Sequence, residues 1–375
     1  MRAPAAATGC GGCPQSEIFI DELSAFLCYD SDIKVKEAGF MKIVVLCGGT
    51  STERDVSITT SENVAGALRE CGHKVILEDV FLGSVEKPSF EDEQDIHAAA
   101  QEYRAFSGLI TSELKNERNF FGPCVLELCG EADIVFIGLH GEDGEDGKVQ
   151  AAFDLLRIKY TGSGYLASAV AMSKDLTKAA LSPHIRMPKG IVIKKDDPFR
   201  HGIEPPCVVK PSNGGSSVGV YIVTDKTGYE QSVLDALRYD DTLVAEEFIG
   251  GRELTQGVLG TKALPPIEII PPEGGTFDYN NKYNGRTREI CPAQIDAAVL
   301  KEMSEYSLLA GEILGLEVYY RLDYILRDDG KLYALEVNSL PGMTSESLVP
   351  REAKALGMSY KELCGEIIRL SLEKY

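Results

Sequence analysis

The chain has 375 residues, with 58 Asp and Glu against 38 Lys and Arg, and a formal net charge of −20. Its 44% hydrophobic and 26% charged residues exclude a mostly disordered chain, and at about 150 residues per domain the length allows two or three domains. The acidic balance argues against nucleic acid or an anionic membrane surface as partner, since both need a basic face, and no apolar run approaches the ~20 residues of a membrane span.

Residues 1–40 are rich in Ala, Gly and Pro at their start and read as an extension of unknown role. They hold Cys10 and Cys13, the one pair among ten cysteines with redox or metal-ligand spacing. Without a second pair or nearby histidines, that pair supports no zinc site. Incidental thiols in a reducing cytoplasm fit this usage, and the first residues lack the apolar core of a secretory signal.

A domain starts at Met41, where Lys42 to Cys47 is the short apolar run of a buried parallel strand. Gly48-Gly49-Thr50-Ser51 follows, and then Val56, Thr60, Val64 and Leu68 recur at helical spacing. Residues 84–130 are acidic and polar, an elaboration with one helical stretch at 98–106. A second buried strand at 133–139 runs into His140 and an acidic glycine loop, with a helix after it. From residue 161 the pattern is mixed: strands at 207–210, 217–223 and 243–247, helices at 174–181, 229–237 and 295–314. Ser359 and Glu362 form a capping box that opens the last helix.

The most informative segment is 318–341. Two runs alternate with period two and meet at Asp329-Gly330, a strong two-residue hairpin signal. That loop sets Asp323 opposite Glu336 and Arg321 opposite Asn338 on one face, and leaves Leu322, Tyr324, Leu326, Tyr333, Leu335 and Val337 for the core. Facing carboxylates repel unless something neutralises them, and two carboxylates with an amide oxygen suit Mg²⁺. A solvated hairpin face is the plainer reading, and the concentration of polar groups at one spot weighs against it.

Lys210 to Gly219 is a glycine- and serine-rich loop between two strands. It opens no helix, so it is neither a P-loop nor a dinucleotide fingerprint. Such a loop can cover phosphates with backbone N–H groups, Lys210 standing at its base, and it equally fits a flexible surface hairpin. Residues 243–253 read as a strand leaving its sheet at an edge through a glycine bend, able to offer backbone groups to a purine. Glu53 follows the Gly48-Gly49 turn near a helix start, where a carboxylate is favourable on dipole grounds alone.

Taken together, Gly48 to Arg54, Leu139-His140-Gly141, Tyr160 to Gly164, Lys210 to Gly219, Asn281-Lys282-Tyr283 and Glu336 to Thr344 closely resemble the D-alanine–D-alanine ligases of the ATP-grasp superfamily. The resemblance implies an α/β chain with a Rossmann-like N-terminal substrate domain (41–145) and two α+β subdomains (146–240 and 241–375) gripping ATP between them. It implies ligation of two D-alanines through an acyl phosphate, for peptidoglycan synthesis in the cytoplasm, by a homodimer. Lys174 and Lys210 would hold phosphates, with Lys282 beside the nucleotide. Glu246, Glu247 and Ile249 would meet adenine, and Glu253 the ribose. Asp323, Glu336 and Asn338 would hold two Mg²⁺ ions, Mn²⁺ serving as substitute. Glu53 would take the ammonium of the first D-alanine and His140 would line its site. Arg321 and the Gly342 N–H would stabilise the oxyanion, and Ser347 would bind the second carboxylate. Ser216 and Tyr283 would order a closing loop. Tyr283 favours a dipeptide over D-lactate or D-serine products; a non-catalytic nucleotide-binding scaffold is the alternative of another class.

Overall fold

The computed structural model describes residues 40–198, 202–215, 217–271 and 287–375. The expected N-terminal extension (to residue 39), Ser216, Lys282 and Tyr283 lie outside the described residues.

The first sheet is parallel, in the order β2-β1-β3: β1 (Lys42–Cys47) lies between β2 (Lys74–Asp79) and β3 (Ile134–Ile137). Ile43 to Cys47 are wholly buried, as a strand covered on both faces requires. Around it stand α1 (Arg54–Glu70), α2 (Ile96–Phe106), α3 (Ser112–Glu117), α4 (Val125–Glu131) and α5 (Lys148–Leu156). α2 begins earlier than the apolar spacing indicates, because Asp95 caps it by accepting from the Ala98 N–H. The sequence hides β2, which ends in Glu78 and Asp79. Both are fully buried charged residues.

α6 (Tyr165–Met172) and α7 (Lys174–Leu181) lead to a second, antiparallel sheet of β4 (Gly190–Lys194), β5 (Cys207–Pro211), β6 (Tyr221–Val223) and β7 (Thr242–Glu247), with α8 (Lys226–Ala236) packed on it. Its order is β4-β7-β5-β6. β7 is therefore interior, not the edge expected. The strand expected at 217–223 shortens to β6, since Ser217 and Gly219 both take positive φ and turn the chain out of extended geometry.

The third sheet holds β8 (Arg252–Leu259), β9 (Lys262–Ala263), β10 (Ile267–Ile270), β11 (Arg288–Ile290), β12 (Tyr319–Leu326) and β13 (Leu332–Asn338). Its order is β11-β10-β8-β12-β13, with β9 against β8. α9 (Ala297–Leu314) buries Met303, Ala310 and Leu314 in one cluster with Leu322, Tyr324 and Leu326 of β12. α10 (Leu348–Ala355) and α11 (Tyr360–Leu372) close the chain; α11 carries the expected capping box and sends Leu363, Ile367 and Ile368 into the core of the first sheet.

The β12–β13 hairpin reaches the expected pairing by an unexpected route. Leu326 faces Leu332, and the Arg327 N–H donates to the Lys331 carbonyl, so the loop is one residue longer than Asp329-Gly330. A bulge between Asp323 and Tyr324 restores the register, and Asp323 faces Glu336 while Arg321 faces Asn338. The extra residue also flips the near half of β13. Leu332, Ala334 and Val337 enter the core, whereas Leu335, expected there, lines a cavity beside Glu336.

Burial pushes the Glu78 carboxyl up from its ordinary 4.5 to about 7, and the Ser84 hydroxyl donates to it at 2.9 Å. The folded state thus binds a proton that the unfolded chain releases, so this contribution is present at acid pH and is lost as pH rises from about 4.5 through 7. The stability difference between the protein and Glu78→Gln should change by up to ~3 kcal/mol across that window, read by urea unfolding at each pH.

Candidate active site

The elements converge through the Pro211–Ser212 end of β5. The Lys174 N–H donates to the Ser212 carbonyl at 2.9 Å, and the Ser212 hydroxyl donates to Asp175 at 2.6 Å. These bonds tie the start of α7 to the base of the glycine-rich loop and bring Lys174 and Lys210 to one place. The Lys174 ammonium donates to the Gly214 carbonyl at 2.7 Å and lies 3.7 Å from Glu336 of β13. One side chain thus touches the loop and the hairpin.

Two cavities open here, of about 730 and 470 Å³, and Lys174, Gly214, Gly215 and Glu336 line both. The larger one gathers Glu53 and His140, which follow β1 and β3, with Arg321 and Asn338 of β12 and β13 and Gly342 and Ser347 beyond them. Glu53 sits at the N-cap of α1. His140 is buried, with Nε2 3.0 Å from the Thr60 hydroxyl and Nδ1 3.4 Å from Glu145. Burial holds the Glu145 carboxyl above the ordinary range. Ser347 heads α10, and the Thr344 N–H donates to its hydroxyl at 3.1 Å.

Arg321 forks onto Asp323, Nε to Oδ1 and Nη2 to Oδ2, both at 2.9 Å. Burial alone would lower the guanidinium; Asp323 reverses this and holds it above the usual arginine range. The Thr255 hydroxyl donates to Asp323 at 2.6 Å, and the Leu340 N–H to the Asn338 side-chain oxygen at 2.9 Å. Asp323, Glu336 and Asn338 present only oxygen donors, two of them anionic, which fits a hard divalent cation.

The smaller cavity is walled by Lys174, Lys210, the loop residues Asn213, Gly214, Gly215, Ser217, Val218 and Val220, the chain from Glu246 to Ile249, Glu253, Asp323, Ile325 and Leu335. Here one expected contact, that of the Glu246 side chain, looks different. The Glu246 carboxylate is buried between two ammonium groups, Lys210 and Lys178, each at 2.5 Å. Glu247 accepts from the Lys189 N–H at 2.8 Å. Both side chains are thus engaged with protein partners. Burial pushes the Lys174 and Lys178 ammoniums below the ordinary lysine range. It acts on Lys210 too, but Glu246 outweighs it and that group lies above the range.

Lys178 was not legible as a site residue, although its spacing from Lys174, one helical turn on α7, was the available signal. Glu145, Ile325 and Leu335 were missed as well. So was Arg351 at the rim of the larger cavity, whose guanidinium lies 2.8 Å from Glu289 and 3.0 Å from Glu346.

Residues 42–163 match the family model "D-ala D-ala ligase N-terminus" and residues 194–369 match "D-ala D-ala ligase C-terminus". The chain belongs to the D-alanine–D-alanine ligase family. It is therefore an enzyme, a ligase, and the scaffold alternative is not favoured. The D-alanine–D-alanine ligase of Pediococcus pentosaceus is 41% identical, covering 88% of this chain and 97% of that one. That of Lacticaseibacillus casei is 38% identical, covering 89% and 97%. Among solved structures, the Bacillus anthracis ligase complexed with ATP is similar at a TM-score of 0.67 and 28% identity, covering 89% and 98%. The VanG D-Ala:D-Ser ligase of Enterococcus faecalis is similar at 0.70 and 25%, covering 89% and 100%.

The shared carboxylate makes a stability prediction for this ligase. Glu246→Gln strands two buried ammonium groups and is expected to cost ~3 kcal/mol in urea unfolding. Lys178→Met leaves Lys210 paired, and should cost less than half as much.

Proposed function

We propose that the two cavities form one site for the ATP-dependent ligation of two D-alanines, the smaller holding the nucleotide and the larger the amino acids. The observation that carries this is their junction: Lys174 and Glu336 line both, so a γ-phosphate entering from one side meets a carboxylate held on the other. Lys174 and Lys210 supply positive charge to the phosphates. The chain from Glu246 to Ile249, with Ile325 and Leu335, encloses the adenine, and Glu253 takes the ribose. Asp323, Glu336 and Asn338 would hold two Mg²⁺ ions, for which Mn²⁺ could stand in. When bound, such ions supply neutralisation of phosphate charge.

In the larger cavity Glu53 holds the ammonium of the first D-alanine, with His140 beside it. The carboxylate oxygen of that D-alanine attacks the γ-phosphorus and ADP leaves, giving an acyl phosphate. The second D-alanine, its carboxylate on Ser347, then attacks the acyl carbon through its amine and loses a proton. Phosphate departs and a peptide bond remains. Arg321 and the Gly342 N–H face the oxyanion of the tetrahedral intermediate, fixed donors of a kind often worth ~3 kcal/mol. Asp323 holds the Arg321 fork in place before substrate arrives. Ser216, Lys282 and Tyr283 keep their proposed parts in nucleotide binding and closure on the family likeness alone.

A homodimer and a cytoplasmic setting for peptidoglycan synthesis rest on the same likeness. Among the described residues no helix is long and apolar enough to cross a membrane. The parallel sheet supports a substrate domain over 41–145. We place the second boundary after Glu247 rather than at 240, because β7 pairs with β4 and β5. Relatives at 37 to 41% identity carry the D-alanine–D-alanine name, which supports D-alanine over D-serine or D-lactate as second substrate.

ADP release should be seen with ATP, Mg²⁺ and D-alanine alone, and should not rise when D-lactate or D-serine is added; absence of ADP release with D-alanine would sink this reading. Asp323→Ala should lose turnover and weaken Mn²⁺ binding in a paramagnetic titration, with circular dichroism unchanged. Retained activity in that variant would remove the hairpin from the site.

A further inference from the structure

Residues 84–130 found no role in the sequence, and none of the chemistry above uses them. Two of their contacts meet at Arg54, the neighbour of Glu53. Arg54 is 5% exposed, and its fork spends its donors on four partners. Nη1 donates to the Gly49 carbonyl at 2.8 Å, Nη2 to Asp79 and to the Tyr103 carbonyl at 3.1 Å, and Nε to the Ser107 hydroxyl at 3.2 Å. Ser107 in turn donates to Asp55 at 2.5 Å. Further along, the Lys115 ammonium donates to the Thr50 carbonyl. Tyr103, Ser107 and Lys115 all belong to 84–130.

The turn they hold is weak by itself. Gly48 and Gly49 both take positive φ, the conformation glycine adopts at least steric cost and freezes at most entropic cost. A side chain at Gly48 would overlap Asp79 Oδ2 and Arg54 Nη1, so the buried ion pair and the glycine require one another. Asp79 is fully buried, and its Oδ1 accepts from the Phe81 and Leu82 N–H groups, both at 3.0 Å. The pair is therefore satisfied on both sides, the condition under which a buried charge is tolerated.

We infer that residues 84–130 are a positioning element for the first amino-acid subsite: through Ser107, the Tyr103 carbonyl and Lys115 they fix Arg54 and the 48–51 turn, and thereby Glu53. This rests on Glu53 being the ammonium site proposed above. Displacing a binding carboxylate by ~1 Å is enough to cost affinity steeply, whereas the nucleotide cavity shares none of these contacts.

Ser107 is the residue to test, since it does not line the nucleotide cavity and contributes one bond on each side. Ser107→Ala should raise the KM for D-alanine about fivefold to tenfold with the KM for ATP unmoved, the loss of hydrogen bonds to charged partners. Ser107→Thr, which keeps the hydroxyl, should restore it. Hydrogen exchange of the 48–57 peptide should quicken in Ser107→Ala and not in Ser107→Thr. Unchanged KM for D-alanine in Ser107→Ala would overturn the inference, and so would equal rises in both KM values, which mark general loosening. Glu53→Gln, run in parallel, tests the other reading separately: unchanged KM for D-alanine there would remove Glu53 from the subsite.

Discussion

Two carboxylates facing each other across a β-ladder repel, and the rest of the site is arranged around that fact. Asp323 and Glu336 stand opposite on β12 and β13. Arg321 and Thr255 satisfy the first, Lys174 approaches the second, and Lys174 can reach it only because Ser212 ties α7 to β5. The same cation reaches the glycine-rich loop. Neutralising one hairpin face thereby joins three elements that are distant in the chain, at the junction of the two cavities.

A similar balance recurs deeper in. Glu246 is compensated by two lysines, Lys178 and Lys210, although the lining of the smaller cavity as a whole holds more carboxylates than ammonium groups. Such pairing matters because buried charges are weakly screened, so each must find its partner within the protein. The Arg54–Asp79 pair extends this logic to the first sheet, where a buried ion pair gives a flexible glycine turn one shape.

The sequence carried most of what is local. The β1 run, the glycine turn after it, the α7 bounds and the Ser359 capping box all follow from short-range pattern, and the structure repeats them. The hairpin pairing of Asp323 with Glu336 was legible too, but through two offsetting features, a longer loop and a bulge. Neither leaves a mark in hydrophobic alternation, so Leu335 was assigned to the wrong face. β2 and β8 escaped because they carry Glu78, Asp79, Thr255 and Gln256, polar residues that only partners elsewhere make tolerable in the core.

By itself the sequence determined the chemistry available: which oxygens could hold a divalent cation, which lysines could meet phosphate, which turns needed glycine. These depend on residue type and on spacing along a single strand or helix. Only the tertiary structure decided how those groups are spent. It gave the Glu246 carboxylate to Lys178 and Lys210, made β7 an interior strand, and set residues 84–130 against the turn that carries Glu53. Such assignments depend on which distant side chain arrives to satisfy a buried charge, and no periodicity within a segment encodes the identity of that partner.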